Sequence, residues 1–326
     1  RPTRANGFMN SFFLFPNFLK SGSTYNYAML FSGKKEMLGY CIIIESYFRK
    51  LPFIKTASII HGPICQEMQA EVELLNSICN YYKNKHFTSL LIQLRHIEGE
   101  KSDSILKELF KTCSFSFNEI PEKLCTLFIN LDQPLDTIYN NFTSVLKKNI
   151  KSAINKQVQV DEITTQKEIM EFAAVYTKMC ASQNIYLYSY NEIVELCNFV
   201  LNENAGFIMK STVQGKIIGG GIFIHQGKKT VYMIGASDPE FKKIPSSHLI
   251  LSEAIKLSHE RHQEVFDMGG FSYYAKQGEK ADSINQFKLN FSSNPIFYAK
   301  KVNVVFRPVL NKIALVALGL KNKRTD

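Results

Sequence analysis

The chain has 326 residues, 45% of them hydrophobic and 21% charged, with a formal net charge of +10. That length and apolar content support two ordinary domains or one large one around a real core, and exclude a disordered or low-complexity chain. The positive balance points to an anionic partner: nucleic acid, nucleotide, phosphorylated glycolipid or a membrane surface.

Seven cysteines, at 41, 65, 79, 113, 125, 180 and 197, are odd in number and lack Cys-x-x-Cys spacing, which fits a reduced, cytoplasmic protein. His259 and His262 have no third ligand and read as surface residues near a helix end, not as a metal site. The longest apolar run near the C-terminus, Ile313 to Leu318, is far short of the roughly 20 residues that span a bilayer. The Phe-rich start is broken by Asn10, Asn17 and Lys20 and lacks a signal-peptide core.

In chain order, residues 8–31 read as a short helix leading into a strand, Tyr25 to Phe31, and Gly33-Lys34-Lys35 as a turn. An apolar strand, Met37 to Glu45, is followed by a basic loop, Phe48 to Lys55, and a strand, Thr56 to Ile60, that ends in His61-Gly62-Pro63. A helix from Glu67 to Tyr82 and a strand from Thr88 to Leu94 complete this unit. A helix over 103–111 and a strand over 124–131 come next. One long helical segment then runs from Asp132 to Asn155, with Lys147, Lys148, Lys151 and Lys156 on its other face. A solvated basic face is the simpler reading; a rail for phosphates is the functional one. A strand over 157–163 precedes two amphipathic helices, Thr165 to Ser182 and Tyr190 to Asn202, joined by a loop with Tyr186 and Tyr188.

Lys216 to His225 is a β-branched strand whose glycines at 219–221 leave no side chain between the backbone and whatever approaches it. A turn at Gln226 to Lys229, a strand from Thr230 to Ala236, and a helix from Ser246 to Glu260 capped by Ser246 or Ser247 follow. Glu264 to Met268 is a strand with a glycine-rich tip, and Phe287 to Phe291 lies on a helix. Residues 295–306 read as a terminal strand pair. Val309 to Leu318 is a short amphipathic helix with a basic tail, a solubilising end or, alternatively, a membrane contact. Gly39 to Leu91 repeats the order of Gly219 to Phe266 at offsets of 180 and 175 positions, which indicates an internal duplication. Two similar lobes would leave a cleft for a ligand between them.

The order hairpin, helix, strand resembles the N-acetyltransferase-like (GNAT) fold. The expected class is therefore α/β, or α+β, with two tandem GNAT-like lobes at 1–156 and 157–307 and a C-terminal helix and tail at 308–326. Where acetyl-CoA enzymes of that fold carry an Arg/Gln-x-x-Gly-x-Gly/Ala pyrophosphate loop, this chain has Lys242-Lys243-Ile244-Pro245-Ser246-Ser247, which disfavours a CoA donor. The segments Leu146-Lys147-Lys148-Asn149-Ile150-Lys151-Ser152-Ala153, Phe266-Asp267-Met268-Gly269-Gly270 and Phe287-Lys288-Leu289-Asn290-Phe291 resemble motifs of the FemABX family. His61-Gly62-Pro63 is similar to that family's first-lobe turn. Ser292 stands where the family usually continues the last motif with Gly, and two further departures stand out: no long heptads for a coiled-coil arm occur, and the loop at Gln183 to Tyr188 lacks the arginine often found near there.

The resemblance implies aminolysis of an aminoacyl-tRNA ester by an amine of a peptidoglycan precursor, either UDP-linked or lipid-linked, with no further cofactor and with peripheral contact at the inner membrane surface. It implies Lys288 as a cation at the oxyanion or departing ribose oxygen, and Asp267 as a group that orients the acceptor amine or takes its proton; the structural alternative for Asp267 is a carboxylate bonded to the Gly269 and Gly270 amides. Tyr232, Phe287, Gly269 and Gly270 would line the site, and Lys147, Lys148 and Lys151 would meet diphosphate or tRNA phosphates. An acyl-CoA-dependent N-acyltransferase acting on a cell-envelope sugar or amine is the alternative. A non-catalytic basic module that binds RNA or membrane is the third.

Overall fold

The computed structural model describes residues 23–322 apart from 49–50, 113–114, 121–123 and 186. The helix expected before residue 23, Tyr186 and the last residues of the basic tail lie outside the described residues. The described chain forms two compact units, one of residues 125–296 and one of residues 23–124 with 297–322.

The second of these holds strands β1 (Ser23–Phe31), β2 (Met37–Phe48), β3 (Leu51–Ile60), β4 (Ile64–Cys65), β5 (Ser89–Gln93) and β6 (Ser116–Ile120). Its helices are α1 (Met68–Asn84) and α2 (Glu100–Thr112). The apolar stripe of α1, with Leu74, Leu75, Ile78, Cys79 and Tyr82 buried, packs with Cys41 and Ile43 of β2 and Leu90 and Ile92 of β5. The basic loop expected at Phe48 to Lys55 is instead mostly strand, because β3 starts at Leu51 and pairs back onto β2.

The other unit opens with β7 (Cys125–Asn130), α3 (Leu135–Asn140), α4 (Ser144–Asn155) and β8 (Gln159–Glu162). Helices α5 (Gln166–Ser182) and α6 (Tyr190–Asn202) follow, each started by a capping box, on Thr165 with Glu168 and on Ser189 with Glu192. Then come β9 (Gly206–Val213), β10 (Lys216–Gln226), β11 (Lys229–Ser237), α7 (Ser246–Glu260), β12 (Val265–Phe271), α8 (Lys280–Leu289) and β13 (Pro295–Phe297). β14 (Lys301–Val305) and α9 (Pro308–Asn322) return to the first sheet's unit.

The duplication is plain in the strand orders, β1-β2-β3-β5-β14-β6 and β8-β9-β10-β11-β12-β7-β13. In each, an antiparallel meander meets the strand after the main helix in a parallel pair, β3 with β5 and β11 with β12. Each sheet is then completed by a strand from elsewhere in the chain, β14 beside β5 and β7 beside β12. The division therefore differs from the one expected after residue 156: β7, α3 and α4 belong with the second sheet, because β7 pairs with β12 and α4 packs on α7. The expected strand pair at 295–306 is likewise not a pair, since β13 joins β7 while β14 joins β5 and β6.

The helix expected from Asp132 to Asn155 breaks at Asn141 to Thr143. There the Thr143 hydroxyl accepts from the Leu146 amide and starts α4 afresh. Pro245, not a serine, holds the N-cap position of α7, and neither serine caps it. The glycines of β10 are filled by protein: a Cβ at Gly220 would strike the Phe172 ring of α5, and one at Gly219 would meet the Ala236 carbonyl. No described helix is long and apolar enough to cross a membrane.

Candidate active site

The site grows from the place where β11 and β12 stop pairing. Their parallel rungs run from Lys229–Val265 to Val231–Asp267 and end there. On its other side β12 loses register with β7 between Asp267 and Gly270, so that the backbone bulges at Met268 and Gly269. Gly269 carries the bulge at φ +71, a left-handed conformation, and a Cβ there would collide with the Tyr232 carbonyl. A Cβ on Gly270 would meet nothing within 4 Å, so this glycine borders open space.

Asp267 is buried under the bulge, where its carboxylate accepts from the Thr126 hydroxyl, from the Gly269 amide at 2.9 Å and from Lys229 Nζ at 3.1 Å. Buried charge is tolerated when paired and hydrogen-bonded, and this carboxylate is both. Of the two glycine amides expected on it, the Gly269 amide is bonded.

Lys288, also buried, reaches the same bulge from α8 and donates to the Gly270 carbonyl at 2.6 Å. Burial lowers its pKa to about 8, while the negative charge of Asp267 draws it partly back up. At neutral pH the group is mainly cationic, yet far readier than a free lysine to give up its proton.

Tyr232 sits one residue past the last parallel rung. Its ring stacks on Phe223 at 5.4 Å between centroids, its hydroxyl folds over Gly235, and burial raises its pKa to about 12. Phe287 packs its half-buried ring against His248 of α7, 4.8 Å between centroids, and against Phe291 at 5.7 Å. His248 in turn lies 3.3 Å from the side-chain amide of Asn149 on α4. Thr143, the α4 cap, donates through its hydroxyl to Asn290 Oδ1 at 2.7 Å, and its amide reaches the Asn290 carbonyl at 3.1 Å. The three motif segments thus meet: the N-cap of α4 is bonded to the C-cap of α8, and α8 delivers Lys288 to β12.

Of the residues singled out in the sequence, Lys288, Asp267, Gly269, Gly270, Tyr232 and Phe287 gather around the end of β12. Lys147, Lys148 and Lys151 lie on the exposed face of α4, where Lys147 Nζ bonds the Asn140 carbonyl at 3.0 Å. Thr126, Lys229, Asn149 and His248 complete the arrangement and were not among the expected site residues. Lys229 was hidden in a turn-like Gln-Gly-Lys-Lys stretch, although a lysine two rungs from an Asp in a parallel pair is a recognisable partner. Among the described residues no group of three His, Cys, Asp or Glu side chains could hold a metal ion.

A model of the FemAB family matches residues 194–315. Of solved structures, FemX is similar with a TM-score of 0.77 at 12% identity over 90% of each chain. L-PGS from Bacillus licheniformis is similar at 0.56 and 10%, over 92% of this chain and 90% of that one. A tandem GNAT protein from the clavulanic acid biosynthesis pathway is similar at 0.52 and 7%, over 89% and 85%. At such identities these likenesses concern the fold. No curated protein matches the chain. The residues matched by the FemAB model contain β12 with its bulge and α8 with Lys288, so this part of the chain is similar to that family, and the two lobes share the fold of FemX and of the tandem GNAT protein.

Proposed function

We propose that the protein is an aminoacyltransferase that moves an amino acid from aminoacyl-tRNA to an amine of a peptidoglycan precursor peptide. The observation that carries this reading is Lys288, a buried cation at an open backbone bulge, on a Phe-Lys-Leu-Asn-Phe segment that resembles a FemABX motif and lies within the residues matched by the FemAB model.

The deprotonated acceptor amine attacks the ester carbonyl, so that a C–N bond forms and negative charge collects on the carbonyl oxygen. The C–O bond to the terminal ribose then breaks, the nitrogen loses its extra proton, and the ribose oxygen gains one. An ester of this kind is already activated, and placement plus charge stabilisation supply much of the rate. Lys288 faces the developing oxyanion and donates toward the departing ribose oxygen, and its lowered pKa suits both tasks. Asp267 acts at one remove: with three bonds already made, it fixes the bulge and supports the charge on Lys288. Tyr232 and Phe287 border the reacting groups, and Lys147, Lys148 and Lys151 take phosphates of the acceptor or the tRNA.

The deciding experiment is transfer of radiolabelled amino acids from a charged total tRNA pool to UDP-linked and lipid-linked muropeptides. Labelled product that disappears with ribonuclease and with Lys288→Ala supports the reading. Absence of product with both acceptors, together with binding of an acyl-CoA, overturns it in favour of acyl-CoA-dependent transfer.

A further inference from the structure

Helix α9 has a buried face and, opposite it, an exposed apolar one. Asn311 and Ala314 are buried against the body of the protein, whereas Val309, Ile313 and Val316 are 72%, 42% and 62% exposed. Those three stand at i, i+4 and i+7, so they form one continuous stripe along the outer side of the helix. Large β-branched side chains scattered singly on a surface need no explanation, but an aligned row on one helix does.

The charge of this stretch of sequence has one sign. From Arg307 to Arg324 the sequence holds Arg307, Lys312, Lys321, Lys323 and Arg324, and no Asp or Glu. Lys312 adjoins Ile313 and flanks the stripe, a position from which its stem can cover apolar surface while its ammonium reaches outward. At 15 residues the helix is too short to span a bilayer, and it is packed against β3 rather than free. An exposed apolar stripe with Lys312 beside it, on a stretch whose sequence holds no Asp or Glu from 307 to 324, matches the boundary between acyl chains and anionic headgroups.

We propose that the outer face of α9 docks the protein on an anionic lipid bilayer, with Val309, Ile313 and Val316 entering the acyl boundary and Lys312 meeting headgroup phosphates. This surface is independent of the transfer chemistry, and its test uses no substrate.

The full chain would be pelleted with vesicles of phosphatidylcholine alone and with vesicles that also contain phosphatidylglycerol. Binding is expected to the mixed vesicles and to fall with added salt. Val309→Asp with Val316→Asp should weaken it at least about tenfold, and Lys312→Glu about fivefold or more, as expected for basic groups near a charged surface. Met170→Glu, on an exposed apolar position of α5, should leave binding unchanged, and all variants should keep the circular dichroism of the parent. No binding to mixed vesicles, equal binding to both kinds, or binding indifferent to the double variant overturns the proposal. So does a dimer in sedimentation velocity that the double variant dissolves while vesicles pellet nothing, since the stripe then faces a second copy of the chain.

Discussion

The two sheets share one plan and differ at one junction. In the first, β3 and β5 run parallel for five rungs, from Thr56–Ser89 to Ile60–Gln93, and β14 continues on β5 without a break in register. In the second, β11 and β12 hold only three rungs, and β12 bulges against β7 just where the pairing ends. The polar groups near the two junctions differ accordingly. In the first unit, Glu71 at the start of α1 is buried and bonded to His96 Nε2 at 2.9 Å, a closed pair. In the second, Lys288 bonds one carbonyl beside a glycine with open space in front of it. One copy of the duplicated unit has closed its sheet, while the other has kept the gap and put a lysine in it.

Five measurements would break or sharpen this contrast. The largest effect is expected for Lys288→Ala, which should lower transfer by about a hundredfold to a thousandfold, the usual loss for one preorganised charge-stabilising donor, with the fold retained. A related measurement concerns stability. Because the folded-state pKa of Lys288 is about 8 against an ordinary 10.5, the unfolded chain binds a proton that the folded chain has released between those values, and stability from this group rises with pH across that window. Lys288→Met should therefore be more stable than the parent at neutral pH, by up to about 3 kcal/mol, and the advantage should shrink toward pH 10.5 in denaturant titrations. A constant difference would mean that Lys288 is not desolvated.

Next in size is His96→Ala in the closed junction. It strands Glu71 in the core and should cost about 3 kcal/mol of stability, read by chemical denaturation, without moving the pH dependence of transfer. Gly269→Ala should cost about 2 kcal/mol, since it places a Cβ in a left-handed residue against the Tyr232 carbonyl. The smallest effect is a displacement. Transfer should decline as pH rises through about 8, when Lys288 loses its proton, and Asp267→Asn should move that limb to lower pH by removing the charge that favours the cation. A limb that stayed in place would separate Asp267 from Lys288.

Much of this was legible in the sequence for a local reason. Alternation, helical spacing and turn residues recur in the same order in both halves, so the duplication needed no contact information, and Lys288 stood in a recognisable segment. What stayed hidden was non-local. Nothing within Cys125 to Asn130 says that its partner is β12 and not a neighbour in sequence, which is why the division expected at 156 missed it. Likewise the break of the helix at Thr143 depends on Asn290, 147 positions away, which holds the cap residue by two hydrogen bonds. His248 escaped notice because it belongs to an ordinary first helical turn, and its role comes only from meeting Asn149 and Phe287.

The exchange of sheet-completing strands bears on how the chain is made. On the ribosome the first unit emerges early, but β5 and β6 must wait for β14, more than 170 residues later, before either is paired on that side. Until then the nascent sheet displays unpaired backbone, the condition that favours wrong partners, and the long span makes the closing step slow. A polypeptide released before residue 301 should accordingly aggregate or be degraded, even though everything needed for the lysine-bearing bulge has already been synthesised.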